Sequence, residues 1–139
     1  MADNNNLIMQ YQEQSILTMS RGELLVKLYD ELLKNLRYAS ILFGQKKAET
    51  AKKHTDRAKN IINYLYAILD DKYDISVNLK RIYSHLLAQI IKANVSEDAA
   101  SLDEIIPTVQ ELRAAWVEAE KKTRTQKGKR AKGNQHTAF

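Results

Sequence analysis

The sequence contains no cysteine, only one proline (Pro107) and only four glycines. Without cysteine there are no disulfides, no thiolate nucleophile and no thiolate metal site, which suits a reducing compartment. Scarce glycine and proline argue against a sheet protein with many tight turns. No apolar run approaches the roughly 18 residues that a bilayer-spanning helix requires. The start, Met1-Ala2-Asp3-Asn4-Asn5-Asn6, lacks both the basic head and the apolar centre of a secretory signal. A cytosolic location is therefore expected.

What the chain does have is 44% hydrophobic and 28% charged residues spread over 139 positions, room for one helical core and not two. The formal charge of +5 is unevenly placed. Lys121, Lys122, Arg124, Lys127, Lys129, Arg130 and Lys132 fall in residues 121–139, where no acid occurs, so the preceding 120 residues are close to neutral. That segment has almost no large apolar group before Phe139 and cannot bury enough surface to offset its ordering entropy. A disordered basic tail over 123–139 is expected.

Four amphipathic helices are predicted. The first covers 20–44, where Ser20 and Glu23 fit a capping box, Met19 and Leu24 a hydrophobic staple, and Gly44 a C′ stop. Its inward stripe is Leu25, Leu28, Leu32, Leu36, Ala39 and Phe43. After Gln45-Lys46-Lys47 the second covers about 48–70, with Ala51, Ala58, Ile62, Leu65 and Leu69 inward. The polar stretch Asp70 to Asp74 connects it to a third at about 75–94, carrying Ile75, Leu79, Ile82, Leu86 and Ile90, with Asn94 as a stop. Ser96, Asp98 and Ser101 are candidate caps for a fourth, whose stripe is Leu102, Ile105, Val109, Leu112, Trp116 and Ala119. The phase of that stripe survives Pro107, which favours a kinked helix over two separate ones. Short connections favour an antiparallel four-helix bundle. The expected division is a 1–19 N-terminal cap segment, a 20–122 bundle and the 123–139 tail.

In the third helix, Ile82, Ile75, Leu86, Leu79, Ile90, Tyr83, Leu87 and Ile91 sweep an arc of roughly 180°, wider than the roughly 100° of an ordinary core-facing helix. Leu24, Val26, Tyr29 and Leu33 widen the first helix in the same way. Tight packing, a homodimer, or a groove for another protein's helix would each explain such arcs.

The sequence gives catalysis nothing to stand on. His54, His85 and His136 belong to no Glu-x-x-His or His-Glu-x-x-His pair, there is no Gly-x-Ser-x-Gly elbow, and Gly22 and Gly44 are too isolated for a phosphate loop. Asp70-Asp71 reads as a solvated turn. No enzyme activity, cofactor or metal is expected, and neither nucleic-acid binding nor stable membrane insertion.

Tyr11-Gln12-Glu13-Gln14-Ser15-Ile16-Leu17-Thr18, Ser20-x-Gly22-Glu23-Leu24 and Leu28-Tyr29-Asp30 resemble the opening pattern of the FliS flagellar secretion chaperones. Lys59-Asn60-Ile61-Ile62, Ile75-Ser76 with Asn78-Leu79, Tyr83, Lys92-Ala93-Asn94 and Leu112-Arg113-x-x-Trp116 are similar to that family's later signatures, in the same order. Arg21 departs from the usual Pro, and Ser84-His85-Leu86 from a more aromatic stretch. The resemblance implies an export chaperone that binds the disordered C-terminal segment of flagellin, blocks its premature polymerisation and delivers it to the export gate protein FlhA, with the anti-sigma factor FlgM as a further candidate partner. It implies a flagellin-binding groove at Tyr29, Leu33, Ile61, Leu65, Tyr83, Leu87 and Ile91. Ile8 and Tyr11 would form the N-terminal cap and export-gate contact. A structural or regulatory homodimer using the same apolar surface is the alternative.

Overall fold

A computed structural model describes residues 20–133, with side-chain environments for residues 20–123; the Ile8 and Tyr11 cap, Met19 of the staple and residues 134–139 lie outside them. The described residues form four helices and no strand: α1 (Arg21–Gly44), α2 (Ala48–Ala67), α3 (Asp74–Ser96) and α4 (Ala100–Gly133). They divide into two compact units, one spanning Leu28–Leu112 and the other combining 20–27 with 113–133.

Helix α1 begins as the capping pattern requires, with the Glu23 amide donating to Ser20 Oγ at 3.2 Å. Its end differs from expectation. Gly44 is still helical, and the left-handed residue is Lys46, at φ 62°, so that the Lys47 amide can reach back to the Leu42 carbonyl at 2.8 Å. Helix α2 stops at Ala67, three residues before the predicted end. The Asp70 carboxylate accepts the Lys72 amide at 3.0 Å and the Asp70 carbonyl accepts Ser76 Oγ at 2.5 Å, so Asp70 belongs to the turn that launches α3. Asp71 pairs with Lys80. The two aspartates are thus turn and ion-pair residues. Helix α3 passes the proposed Asn94 stop and ends at Glu97, left-handed at φ 52°, while Asp98 Oδ1 accepts the Ala100 amide at 2.9 Å and opens α4.

Helix α4 runs unbroken through Pro107 and on to Gly133. Residues 123–133 have helical backbone. Lys, Arg, Gln and Ala are good helix formers, and the stretch has no proline to stop a helix already under way.

Within the 28–112 unit the core is Tyr29, Leu32, Leu33, Leu36, Ala39 and Phe43 from α1, Ala51, Ala58, Ile62 and Leu65 from α2, Leu79, Tyr83, Leu86, Ile90 and Ala93 from α3, and Leu102, Ile105 and Val109 from α4. Buried polar residues join it with partners, among them Thr55 and Ser76. Thr55 Oγ1 donates to Asn94 Oδ1 at 2.8 Å, and Ser76 to the Asp70 carbonyl already described. Thr55 with Asn94, Lys52 with Glu97 at 3.6 Å, and Lys80 over the Tyr66 ring at 5.8 Å place rising positions on α2 against falling positions on α3, so these helices are antiparallel. The stripes differ from expectation at their ends and at Ile82, which is half-buried in the middle of α3. Leu28, Leu69, Leu112 and Trp116 are half-buried, Ala119 is exposed, and Ile75, at the start of α3, is 63% exposed.

In the other unit Ser20 Oγ donates to Glu120 Oε1 at 3.3 Å, and the Glu120 carboxyl lies where a side chain on Gly22 would begin. Glycine there permits close approach.

Candidate binding surface

Helix α3 carries two apolar faces. Leu79, Tyr83, Leu86, Ile90 and Ala93 turn one of them into the core. At about 100° per residue, Val77 and Val95, each nine positions from Leu86, lie roughly opposite it. Val77 is 52%, Ile91 53% and Val95 81% exposed. Ala88 is exposed beside them and Leu87 is half-buried, bridging this outer stripe to the core-facing side. Lys80 and Ser84 interrupt that stripe, and Arg81, His85 and Lys92 occupy the sector beyond it. A surface helix normally surrounds one apolar stripe with polar residues; a second stripe of Val, Leu and Ile is surface that the fold leaves for something else to cover.

The residues predicted for the groove separate into two groups. Tyr29, Leu33, Leu65 and Tyr83 are buried, so they back the surface and do not line it. Tyr83 in particular is not at the edge of the α3 arc. Its hydroxyl and that of Tyr29 share a hydrogen bond of 2.5 Å inside the core. Each phenol thereby satisfies the other, which permits both rings to be buried. Burial first, and the Tyr29 hydrogen bond second, push the Tyr83 phenol well above its ordinary value of 10.0, so it stays protonated. Ile61 and Leu87 are half-buried and Ile91 is exposed, and these three remain available to a partner. Sequence reasoning missed Val77 and Val95. Their nine-residue offsets from Leu86 were the signal, since apolar residues half a turn out of phase with the core stripe have no intramolecular use.

Nothing in this surface resembles a reaction centre. Among the described residues no group of three or more His, Asp or Glu could hold a metal, and no helix is long and apolar enough to cross a membrane. A family model described as "Flagellar protein FliS" matches residues 4–123, the span that includes all of α1, α2 and α3. The chain belongs to the FliS family. A flagellar secretion chaperone FliS of Bacillus subtilis is 29% identical over 109 residues, covering 78% of this chain and 82% of the relative. One from Escherichia coli is 26% identical over 110 residues, covering 77% and 81%. A FliSB chaperone of Pseudomonas aeruginosa shares 32% identity over 62 residues, 43% of this chain and 49% of the relative. FliS proteins are chaperones and not a class of enzymes, in keeping with a surface of Val, Leu and Ile.

Proposed function

We propose that this chain is a cytosolic export chaperone that binds the C-terminal segment of flagellin, keeps it from polymerising early and passes it to the export gate protein FlhA. The observation that carries this reading is the outer apolar stripe of α3 in a member of the FliS family. Val77, Leu87, Ile91 and Val95 are the contact positions, with Ile61 flanking them from α2, while Tyr29, Leu33, Leu65 and Tyr83 hold the surface in shape from behind. A disordered segment that folds onto such a stripe as a short amphipathic helix offsets its ordering cost by covering apolar area. Ile8 and Tyr11 would cover the stripe when cargo is absent and contact the gate when the complex arrives. FlgM is a second client that the same surface could accept.

Sizing chromatography of the purified chain with flagellin tests this. A one-to-one complex is expected with full-length flagellin and none with flagellin lacking its C-terminal segment; equal co-elution of both would refute the capture mode. The exposed stripe would also suit a second copy of the chain. Sedimentation of the chain alone distinguishes the two, because a stripe-mediated dimer disappears on Val95→Asp whereas a monomeric chaperone sediments unchanged.

A further inference from the structure

The outer stripe of α3 is not apolar throughout. At about 100° per residue, Lys80 stands about 120° round from Leu86, between Leu87 at about 100° and Ile91 at about 140°. Ser84 stands at about 160°, beside Val77 and Val95 at about 180°. Lys80 and Ser84 are one turn apart, so together they form a polar break within the roughly 15 Å that separates Val77 from Leu87. The Lys80 ammonium is held at this place. It pairs with Asp71 of the connection between α2 and α3, and it lies 5.8 Å from the centroid of the Tyr66 ring on α2. The Lys80 side chain is 33% exposed and that of Asp71 80%, so water reaches both in the uncovered protein. The other acids of these two helices and their connection are engaged or lie elsewhere. Asp56 pairs with Lys59 at 3.3 Å, Glu97 with Lys52 at 3.6 Å, and the Asp70 carboxylate accepts the Lys72 amide at 3.0 Å. Asp74 is about 120° round α3 from Lys80, and Glu49 is in the first turn of α2, at the opposite end from the connection.

We infer that Lys80 sets the register of the polypeptide that covers this stripe, by requiring an acidic side chain at one position of an otherwise apolar helix face, with apolar residues before and after it to meet Val77 and the Leu87–Ile91 stretch. This rests on the reading of the outer α3 stripe as a docking surface and says what the docked segment must carry. An ammonium has three N–H donors. Asp71 accepts from it, the face of the Tyr66 ring attracts it, and water takes what remains until a partner arrives. A partner with an unbroken apolar face would expel that water and give the ammonium nothing in return. A Glu or Asp opposite Lys80 replaces the water with a charge-assisted bond. A neutral acceptor restores the bond without the charge, so a carboxylate ranks first. Asp71 keeps most of its hydration, which screens it from the second carboxylate. The same lysine thus favours a segment in the right register and penalises an apolar segment laid across it in any other.

The test titrates three synthetic helical peptides into the full chain by calorimetry, each with Leu at helical spacing on both sides of one central position that is Glu, Gln or Leu. The Glu peptide is expected to bind about five-fold or more tighter than the Leu peptide, with the Gln peptide between them. In the Lys80→Leu chain, which makes the stripe continuous, the order should reverse and the Leu peptide bind tightest, with a thermal melt close to the parent's. Asp71→Asn leaves Lys80 charged and without its carboxylate, and should widen the preference for Glu. Val95→Asp should weaken all three peptides. Failure of every peptide to bind, or binding that Val95→Asp leaves untouched, would remove the docking surface and the inference with it. Binding that Val95→Asp weakens but that ranks Leu or Gln level with Glu, or an order that survives Lys80→Leu, would overturn the assignment to Lys80 alone.

Discussion

The inner and outer faces of α3 are made of the same kinds of residue and have opposite fates. Leu86 and Ile90 are fully buried, whereas Ile91, the next residue round the helix from Ile90, and Val95, opposite Leu86, are more than half exposed. Residue chemistry does not distinguish Ile90 from Ile91. Their phase on the helix does, because one step of about 100° moves a side chain from the middle of the core to its rim. Burial of the inner face holds the 28–112 unit together, and exposure of the outer face leaves apolar area free to be covered by another polypeptide.

The comparison is broken most severely from the inside. Leu86→Ala should cost roughly 2–5 kcal/mol in urea denaturation, because the surrounding helices relax only partly around the cavity. Tyr83→Phe should cost less, about 1–3 kcal/mol, since it removes the buried hydrogen bond between the two hydroxyls. A double-mutant cycle with Tyr29→Phe gives the coupling directly. The same pair predicts an alkaline limit. A phenol whose folded pKa lies above its unfolded value contributes stability that is fully present below 10.0 and is lost as pH rises through the folded value. Urea midpoints should therefore fall above pH 10 in the parent chain, and fall less in Tyr83→Phe.

From the outside, the expected stability effects are small. Val77→Asp and Val95→Asp replace exposed side chains and should shift the unfolding free energy by no more than about 0.5 kcal/mol. Leu87→Asp sharpens the comparison at its boundary. Leu87 is half-buried, so its cost should fall between those of Leu86→Ala and Val95→Asp in the same denaturation series.

The inner face was legible in the sequence because a stripe repeating at three and four residues needs only local spacing to be recognised. Leu79, Leu86 and Ile90 were placed by that rule alone. The rule failed at Ile75, which lies in phase but at a helix start where the bundle no longer covers it. It failed at Tyr29 and Tyr83 because their burial depends on a hydrogen bond between residues 54 positions apart, which no local pattern carries. Thr55 and Ser76 were missed for a related reason, since each is buried by virtue of a partner on another segment. The family was legible from the order of motifs. The candidate surface is only partly legible in the sequence: the arc followed outward reaches Leu87 and Ile91, and Val77 and Val95 lie beyond its rim.

The central claim, that α3 folds with one face and binds with the other, is tested most directly by calorimetric titration of flagellin's C-terminal segment into the Ile91→Asp/Val95→Asp chain. The account predicts a circular-dichroism melt close to that of the parent and an affinity at least about ten-fold weaker, roughly 1.4 kcal/mol or more, because two carboxylates would have to be desolvated on binding. Unchanged affinity in a folded double variant would contradict it.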